Sequence, residues 1–346
     1  MIDDSTPLIR ISGLSHRFPV RGAASDWAPS LLGGGSRYVH ALDGIELELH
    51  RREVLGVVGE SGCGKSTLGR IAVGLLKPSS GLVQYEGRDR YTMIGRELIA
   101  ARCRTQMIFQ DPFDSLNPRM KVDDIIGQAP AHHQLVARSE LREYVHSVMR
   151  RCGLDPGFSR RFPHQLSGGQ RQRVGIARAI AVRPEVLICD ESVASLDVSV
   201  QAQVLNLFLS LRDQLGLSYL FISHDLAVIR HMADRVVVMY LGRIVESGTR
   251  EQIFSSPLHP YTQGLLAAVG RLDRRRRVFT SIKGEVPSAI TPPTGCHFHP
   301  RCSRAAEICR LEVPALGAKV QGQKVACHFP GPETAFVSVG KTNARP

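Results

Sequence analysis

The apolar run VLGVV (54–58) leads directly into GESGCGKST (59–67), and no other stretch restricts the fold as much. Five consecutive apolar residues suit a strand buried on both faces. The glycines that follow permit positive φ, so successive backbone N–H groups can turn inward toward an anion. A helix expected from about Lys65 to Leu76 offers its positive N-terminus to that same anion. The spacing Gly59-x4-Gly64-Lys65-Ser66 is that of a P-loop. In that chemistry Lys65 reaches the β- and γ-phosphates of a nucleotide and the Ser66 hydroxyl ligates Mg²⁺.

Further strands follow the same logic. VLICD (186–190), YLFIS (219–223) and RVVVMY (235–240) are apolar runs separated by helical patterns. Such alternation predicts an α/β fold, a P-loop NTPase core with a mostly parallel sheet covered on both faces. LIRISGL and the alternating segment Ile45 to Leu49 read as strands of an antiparallel β part. The Gly- and Ser-rich segment from Arg21 to His40 reads as a loop. Residues 111–165 carry Asp-Pro and Asn-Pro breaks around helix-like SELREYVHSVMRRCG and form a helical insert. The expected division is therefore 1–110 and 166–254 for the core and 111–165 for the insert. A separate, small irregular C-terminal appendage covers 255–346, with frayed final residues.

A buried strand that ends in two acids, Asp190-Glu191, requires a reason. A helix N-cap is the plain one. Beside a P-loop, the carboxyl end of a parallel strand faces the ligand crevice. Asp190 then suits Mg²⁺, and Glu191 suits the base that orients or deprotonates an attacking water. Gln110 after MIF and His224 after YLFIS fall where neighbouring strands deliver them to the same crevice. A second glycine-rich polar stretch, LSGGQRQ (166–172), is also built to offer backbone donors to phosphate.

The bulk properties narrow the setting. A chain of 346 residues with 43% hydrophobic and 22% charged residues is long enough for a full core. No apolar run approaches the roughly 20 residues that span a bilayer. The acidic N-terminus, MIDDSTPLIR, is unlike a secretory signal, so a cytosolic chain is expected. The net charge of +12 suits nucleic acid, an anionic membrane face or nucleotide phosphates, or simply a solvated arginine-rich surface. Arg274 to Arg277 lack interleaved aromatics and read as a solvated or lipid-facing linker, not a nucleic-acid reader.

Together these residues resemble the ATP-binding cassette family: Walker A (59–67), a glutamine loop at Gln110, the signature LSGGQ, Walker B VLICDE, a D-loop at Ser195 to Asp197, and a switch His224. DPFDSLNPRM, DVSVQAQVLNL, PLHPYTQGLL and GCHFHPRC are similar to the ATPase subunits of bacterial dipeptide/oligopeptide importers, a group shared with opine and nickel importers. Among these, the chain looks like the second of the two ATPases such systems encode. The resemblance implies an ATP-hydrolysing, energy-coupling subunit with ATP and Mg²⁺ as ligands. Gly59, Ser61, Gly62, Cys63, Gly64, Lys65, Ser66 and Thr67 would bind ATP. Ser66, Gln110 and Asp190 would hold Mg²⁺, and Glu191, His224 and Gln110 would be catalytic. Phe18, or alternatively Tyr38, would stack on adenine. Leu166, Ser167, Gly168, Gly169 and Gln170 would cap the γ-phosphate held by a partner subunit.

The implied partners are a related second ATPase rather than a second copy, two permease subunits and, indirectly, a substrate-binding protein, with no nucleic acid. The implied place is the cytoplasmic face of the inner membrane. A soluble cassette ATPase acting on nucleic acid or ribosomes, or an ATP-binding regulatory subunit, is the alternative. One departure from the family is Ser192-Val193, where a proline usually follows the glutamate. It is expected to loosen the turn into the D-loop while leaving both acids and Asp197 intact. The tail cysteines Cys296, Cys302, Cys309 and Cys327 lack the close pairs of a zinc site and suit an iron–sulfur cluster, [4Fe–4S]. A similar tail in the importer family has been linked to one. Zinc with His297, His299 or His328, or cysteines packed without metal, are the alternatives.

Overall fold

The chain is described from a computed structural model covering residues 6–20, 37–111, 115–268, 282–320 and 322–331. The Arg274–Arg277 run, most of the 21–40 segment and the last fifteen residues lie outside the described residues. The strands are β1 (Ile9–Pro19), β2 (Tyr38–Leu49), β3 (Val54–Val58), β4 (Ser80–Tyr85), β5 (Arg88–Asp89), β6 (Thr105–Ile108), β7 (Val186–Asp190), β8 (Ser218–Ile222), β9 (Arg235–Tyr240), β10 (Arg243–Thr249), β11 (Gly317–Val320) and β12 (Gln323–Val325).

The larger sheet runs β11-β12-β10-β9-β3-β8-β7-β6. From β9 to β6 every neighbour is parallel. Strands β3, β7 and β8 are buried at every position, because helices cover one face and a helix together with strands β1 and β2 covers the other. The smaller sheet, β2-β1-β4-β5, is antiparallel. There Ile45, Leu47 and Leu49 turn inward while Glu46 stays exposed, as the alternation predicts.

The helical insert is present as the helices Val122–His132 and Leu141–Arg151. Val145, Val148 and Met149 form the buried stripe of the second, at i, i+3 and i+4 spacing. The Tyr144 hydroxyl donates to the Ala181 carbonyl at 2.7 Å and ties the insert to the core.

Two local expectations need correction. The helix after the P-loop covers Lys65–Ala72 and stops short of Leu76, because Gly74 takes φ +80° and ends it. LSGGQ is not a loop throughout. Ser167 is the N-cap and Gly168, Gly169 and Gln170 already lie in the helix Gly168–Ile180. A reciprocal capping box starts that helix: Ser167 Oγ accepts from Gln170 N–H at 3.3 Å, and Gln170 Oε1 accepts from Ser167 N–H at 3.0 Å.

The stretch after Ser255 is not separate from the core. β12 pairs antiparallel with β10 (Glu246 with Val325, Ser247 with Lys324), so the C-terminal region completes the main sheet. Left alone, β10 would present an open edge. Glu246 is fully buried, and burying a carboxylate is costly unless donors replace water. Leu258 N–H (2.7 Å), His259 N–H (3.0 Å) and the Gln323 amide (2.7 Å) do so. Tyr240 at the end of β9 then packs against Tyr261 and Phe298, with ring centroids 4.7 and 5.2 Å away.

His259 is buried, and desolvation lowers its pKa to about 3. Its Nδ1 accepts from Tyr261 N–H at 3.0 Å, a bond that needs the neutral ring. In the unfolded chain the ring protonates below about pH 6.5, so stability is lost as pH falls from there toward 3. Burial pushes the neighbouring Glu246 carboxyl up, which acts in the opposite sense. A His259→Asn variant isolates the histidine, since the Asn oxygen can replace Nδ1 without titrating. Denaturant unfolding at pH 7.5 and 5.5 should show the wild type losing about 1 kcal/mol more than this variant.

Candidate active site

The strand order converts four distant sequence segments into one row. β3, β8, β7 and β6 are parallel neighbours, so their carboxyl ends lie side by side. β3 delivers the loop 59–67, β8 delivers His224, β7 delivers Asp190 and Glu191, and β6 delivers Gln110.

The loop can sit there only as glycine-rich chain. A Cβ on Gly59 would lie 2.2 Å from the Met239 carbonyl oxygen. One on Gly64, at φ +104°, would lie 2.3 Å from the Ala41 oxygen. The loop is therefore squeezed between the end of β9 and β2. Lys65 is buried, and its Nζ donates to the carbonyls of Gly59 (2.8 Å) and Glu60 (2.9 Å). Ser61 and Gly62 are exposed at the loop's crest, Cys63 is buried beneath it, and Ser66 and Thr67 are half-buried in the first helical turn. Burial pushes the Cys63 thiol up, so it packs as a small apolar group.

Ser66 Oγ donates to Asp190 Oδ1 at 2.8 Å. Burial pushes the Asp190 carboxyl up, and the Ser66 hydroxyl acts against that shift. A hydroxyl and a carboxylate this close form the oxygen pair that suits Mg²⁺, a hard cation that takes few protein ligands besides substrate phosphates. Glu191 is the hub of the second half of the row. Its Oε2 accepts from Gln110 Nε2 at 2.9 Å and lies 3.3 Å from His224 Nδ1. Its backbone holds φ +46°, rare for a residue with a side chain. The turn without proline is nevertheless closed: Glu191 N–H donates to Ile222 O (3.0 Å) and Ala194 N–H to Glu191 O (3.1 Å). Ser192 and Val193 are buried beneath it.

Phe18 and Tyr38 lie near the same end of the antiparallel sheet, Tyr38 directly paired with Pro19. Both are partly exposed, and Phe18 stacks edge-on against His16 with centroids 4.5 Å apart. The signature is elsewhere. Among the described residues, no hydrogen bond joins 166–170 to the P-loop. Leu166 is buried, while Gly168 and Gly169 approach Leu196 and Val200, just before and within the helix Val198–Leu215. Asp197 caps that helix from an exposed position with no side-chain cap bond. The signature and the D-loop thus form one surface, distinct from the P-loop row.

The family model for the ABC transporter matches residues 42–194. The dipeptide transport ATP-binding protein DppF of Haemophilus influenzae is 46% identical over 329 residues, covering 94% of this chain and 98% of that one. The chain belongs to the ABC transporter ATPases. This ABC ATPase hydrolyses ATP, and ATP with Mg²⁺ is its expected ligand. Its residues 245–309 match the model of the oligopeptide/dipeptide transporter C-terminal region. The oligopeptide transport ATP-binding protein AppF of Bacillus subtilis is 47% identical over 298 residues, covering 84% of this chain and 90% of that one. Among solved structures, CbiO1 of Clostridium perfringens, part of the ABC transporter complex CbiONQ, superposes with a TM-score of 0.58 at 27% identity over 72% of this chain and 92% of that one. The ATP-binding cassette MJ0796 gives 0.60 at 23% identity over 70% and 98%, a likeness of fold.

The tail cysteines of this ABC ATPase do meet. Cys296, Cys302, Cys309 and Cys327 all line one cavity of about 10 Å³, room for about one water. Burial pushes the thiols of Cys296, Cys302 and Cys327 up, the last to about 11, which opposes the thiolate form that metals need. Among the described residues, no three His, Cys, Asp or Glu side chains are grouped to hold a metal ion. Of the candidate zinc histidines, His297 bonds the Leu241 carbonyl (3.0 Å), His299 that of Cys296 (3.0 Å) and His328 that of Glu312 (3.1 Å). The described residues thus give no support to the zinc or iron–sulfur expectation. Among the described residues no helix is long and apolar enough to cross a membrane.

Sequence reasoning missed Tyr261 and Arg301, which bond the N–H and the carboxylate of Glu60 in the loop, and the buried Glu246 behind them. Only Glu246 left a local signal, an acid inside the apolar strand RIVES.

Proposed function

We propose that this chain is the energy-coupling ATPase of an importer for peptides or related small solutes. The single observation that carries this reading is the row formed by Lys65, Ser66, Asp190, Glu191, Gln110 and His224, with the signature on a different surface. The cargo class is supported by the match of residues 245–309 and by relatives named for dipeptide and oligopeptide transport.

In this reading Lys65 exchanges the carbonyls of Gly59 and Glu60 for β- and γ-phosphate oxygens. Backbone N–H groups of 59–67 and the helix N-terminus hold the rest of the polyphosphate. Ser66 and Asp190, with Gln110, hold Mg²⁺, which neutralises charge on the phosphates. Glu191 takes the proton of the attacking water or orients it, and Gln110 and His224 fix its carboxylate. Phe18 or Tyr38 covers the adenine.

Ser167 keeps its hydroxyl hydrogen available while its oxygen caps the helix. With the N–H groups of 168–170 it addresses the γ-phosphate bound by a partner subunit. The partner is a related second ATPase in preference to another copy. Two permease subunits supply the membrane path, a binding protein delivers the solute, and the chain works at the cytoplasmic face of the inner membrane. ATP drives closure of the pair to the extent that it binds the closed state more tightly than the open one.

Three substitutions test these roles. Lys65→Ala should weaken Mg–ATP binding about 100-fold in an equilibrium titration. Glu191→Gln should bind ATP normally, lose turnover by a factor on the order of 100 or more, and accumulate a closed dimer on size-exclusion chromatography. Wild-type turnover in this variant would remove Glu191 from the role of base. Ser167→Arg should leave ATP binding by the isolated subunit unchanged and abolish turnover of the assembled pair. Its lost helix cap, about 1 kcal/mol, is read separately from the melting temperature. Loss of binding in the isolated subunit would contradict the action across the interface.

A further inference from the structure

Glu60 is the only acid in the phosphate loop 59–67, and its polar groups point in two directions. Its carbonyl accepts from Lys65 Nζ at 2.9 Å and from Cys63 N–H at 3.3 Å, on the phosphate side. Its carboxylate and N–H are taken by the C-terminal region. Arg301 grips the carboxylate with both ends of its guanidinium, Nη1 to Oε2 at 2.6 Å and Nη2 to Oε1 at 3.1 Å. The Glu60 N–H donates to the Tyr261 hydroxyl at 2.9 Å.

Neither partner is a mobile surface group. The Arg301 side chain is only 6% exposed, and its guanidinium lies 5.8 Å from the centre of the Tyr240 ring. Tyr261 is fully buried, its ring centroid 4.7 Å from that of Tyr240 and 5.4 Å from that of Phe298. An arginine fixed in this way meets a carboxylate with little further loss of side-chain entropy.

Phosphate recognition by backbone N–H groups does not call for a carboxylate in the loop. An unpaired one beside a bound polyphosphate would repel it. We propose that Arg301 is a positioning residue for the phosphate loop: with Tyr261 it fixes Glu60, pre-forms the loop for the nucleotide and cancels the loop's one negative charge. This rests on the reading of 59–67 as the nucleotide site. It makes the C-terminal region a third wall of that site, and coupling between them is reciprocal.

The test is a titration of the full-length chain with a fluorescent ATP analogue and Mg²⁺, together with steady-state ATP turnover of the assembled pair. Arg301→Gln should raise the Kd about fivefold or more, and the KM in proportion, with kcat within about twofold of wild type. Arg301→Lys keeps the charge but not the two-pronged grip, and should fall between. In the double variant Arg301→Gln/Glu60→Gln the repelling carboxylate is gone, so affinity should recover relative to Arg301→Gln alone. Arg304→Gln is the control. Arg304 bonds the Gly331 carbonyl and the Gln263 side chain, within the C-terminal region, and its loss should leave the Kd within about twofold.

A wild-type Kd in Arg301→Gln, an equal loss in Arg304→Gln, or a double variant weaker than Arg301→Gln would each overturn the proposal. If Arg301→Gln fails to fold, a wild-type Kd in Arg301→Lys overturns it. A wild-type chain that does not bind the analogue would instead remove the nucleotide site itself, whereas wild-type binding with an unmoved Arg301→Gln removes only the clamp.

Discussion

Adjacency of parallel strands is the constraint on which the rest of this structure depends. Because β3, β8, β7 and β6 lie side by side and run the same way, every polar residue just past a strand end arrives on one edge. The Ser66–Asp190 and Gln110–Glu191 hydrogen bonds are consequences of that register. A slip of one residue in a strand buried at every position would exchange its two faces, so the apolar packing on both sides protects the polar row. Stability and chemistry are thus specified by the same contacts, although none of the apolar residues takes part in the chemistry.

The motifs that sequence reasoning resolved are those whose physics is local. VLGVV followed by a glycine loop and a helix is contiguous, and two acids at the end of an apolar strand mark themselves. The alternation in β2 and the stripe of Val145, Val148 and Met149 were equally readable. The errors are also local in origin. LSGGQ reads as a loop because two glycines disfavour helix, yet the Ser167-x-x-Gln170 spacing of a capping box was present and it decides the start of the helix.

What could not be read is non-local. Arg301 and Glu60 are separated by 241 positions, and nothing around either specifies the other. β11 and β12 span four and three residues, too short to show a period, so their place on the main sheet had no sequence signature. The tail cysteines converge on one cavity as their crowding suggested, but their spacing does not state what the cavity holds.

The order of strands also sets an order in time. β3 lies between β8 and β9, with Val54 to Val58 paired to residues 219–222 on one side and 235–238 on the other. The strand that bears the phosphate loop therefore has no sheet neighbour until 165 further residues, from Val54 to Tyr219, have been synthesised, and no second one until 180, from Leu55 to Arg235. During that interval a fully apolar segment is present without its sheet, the kind of stretch that chaperones occupy. The edge is sealed later still, when β12 reaches β10. The most recognisable segment of this chain is among the first to be made and among the last to be given its surroundings.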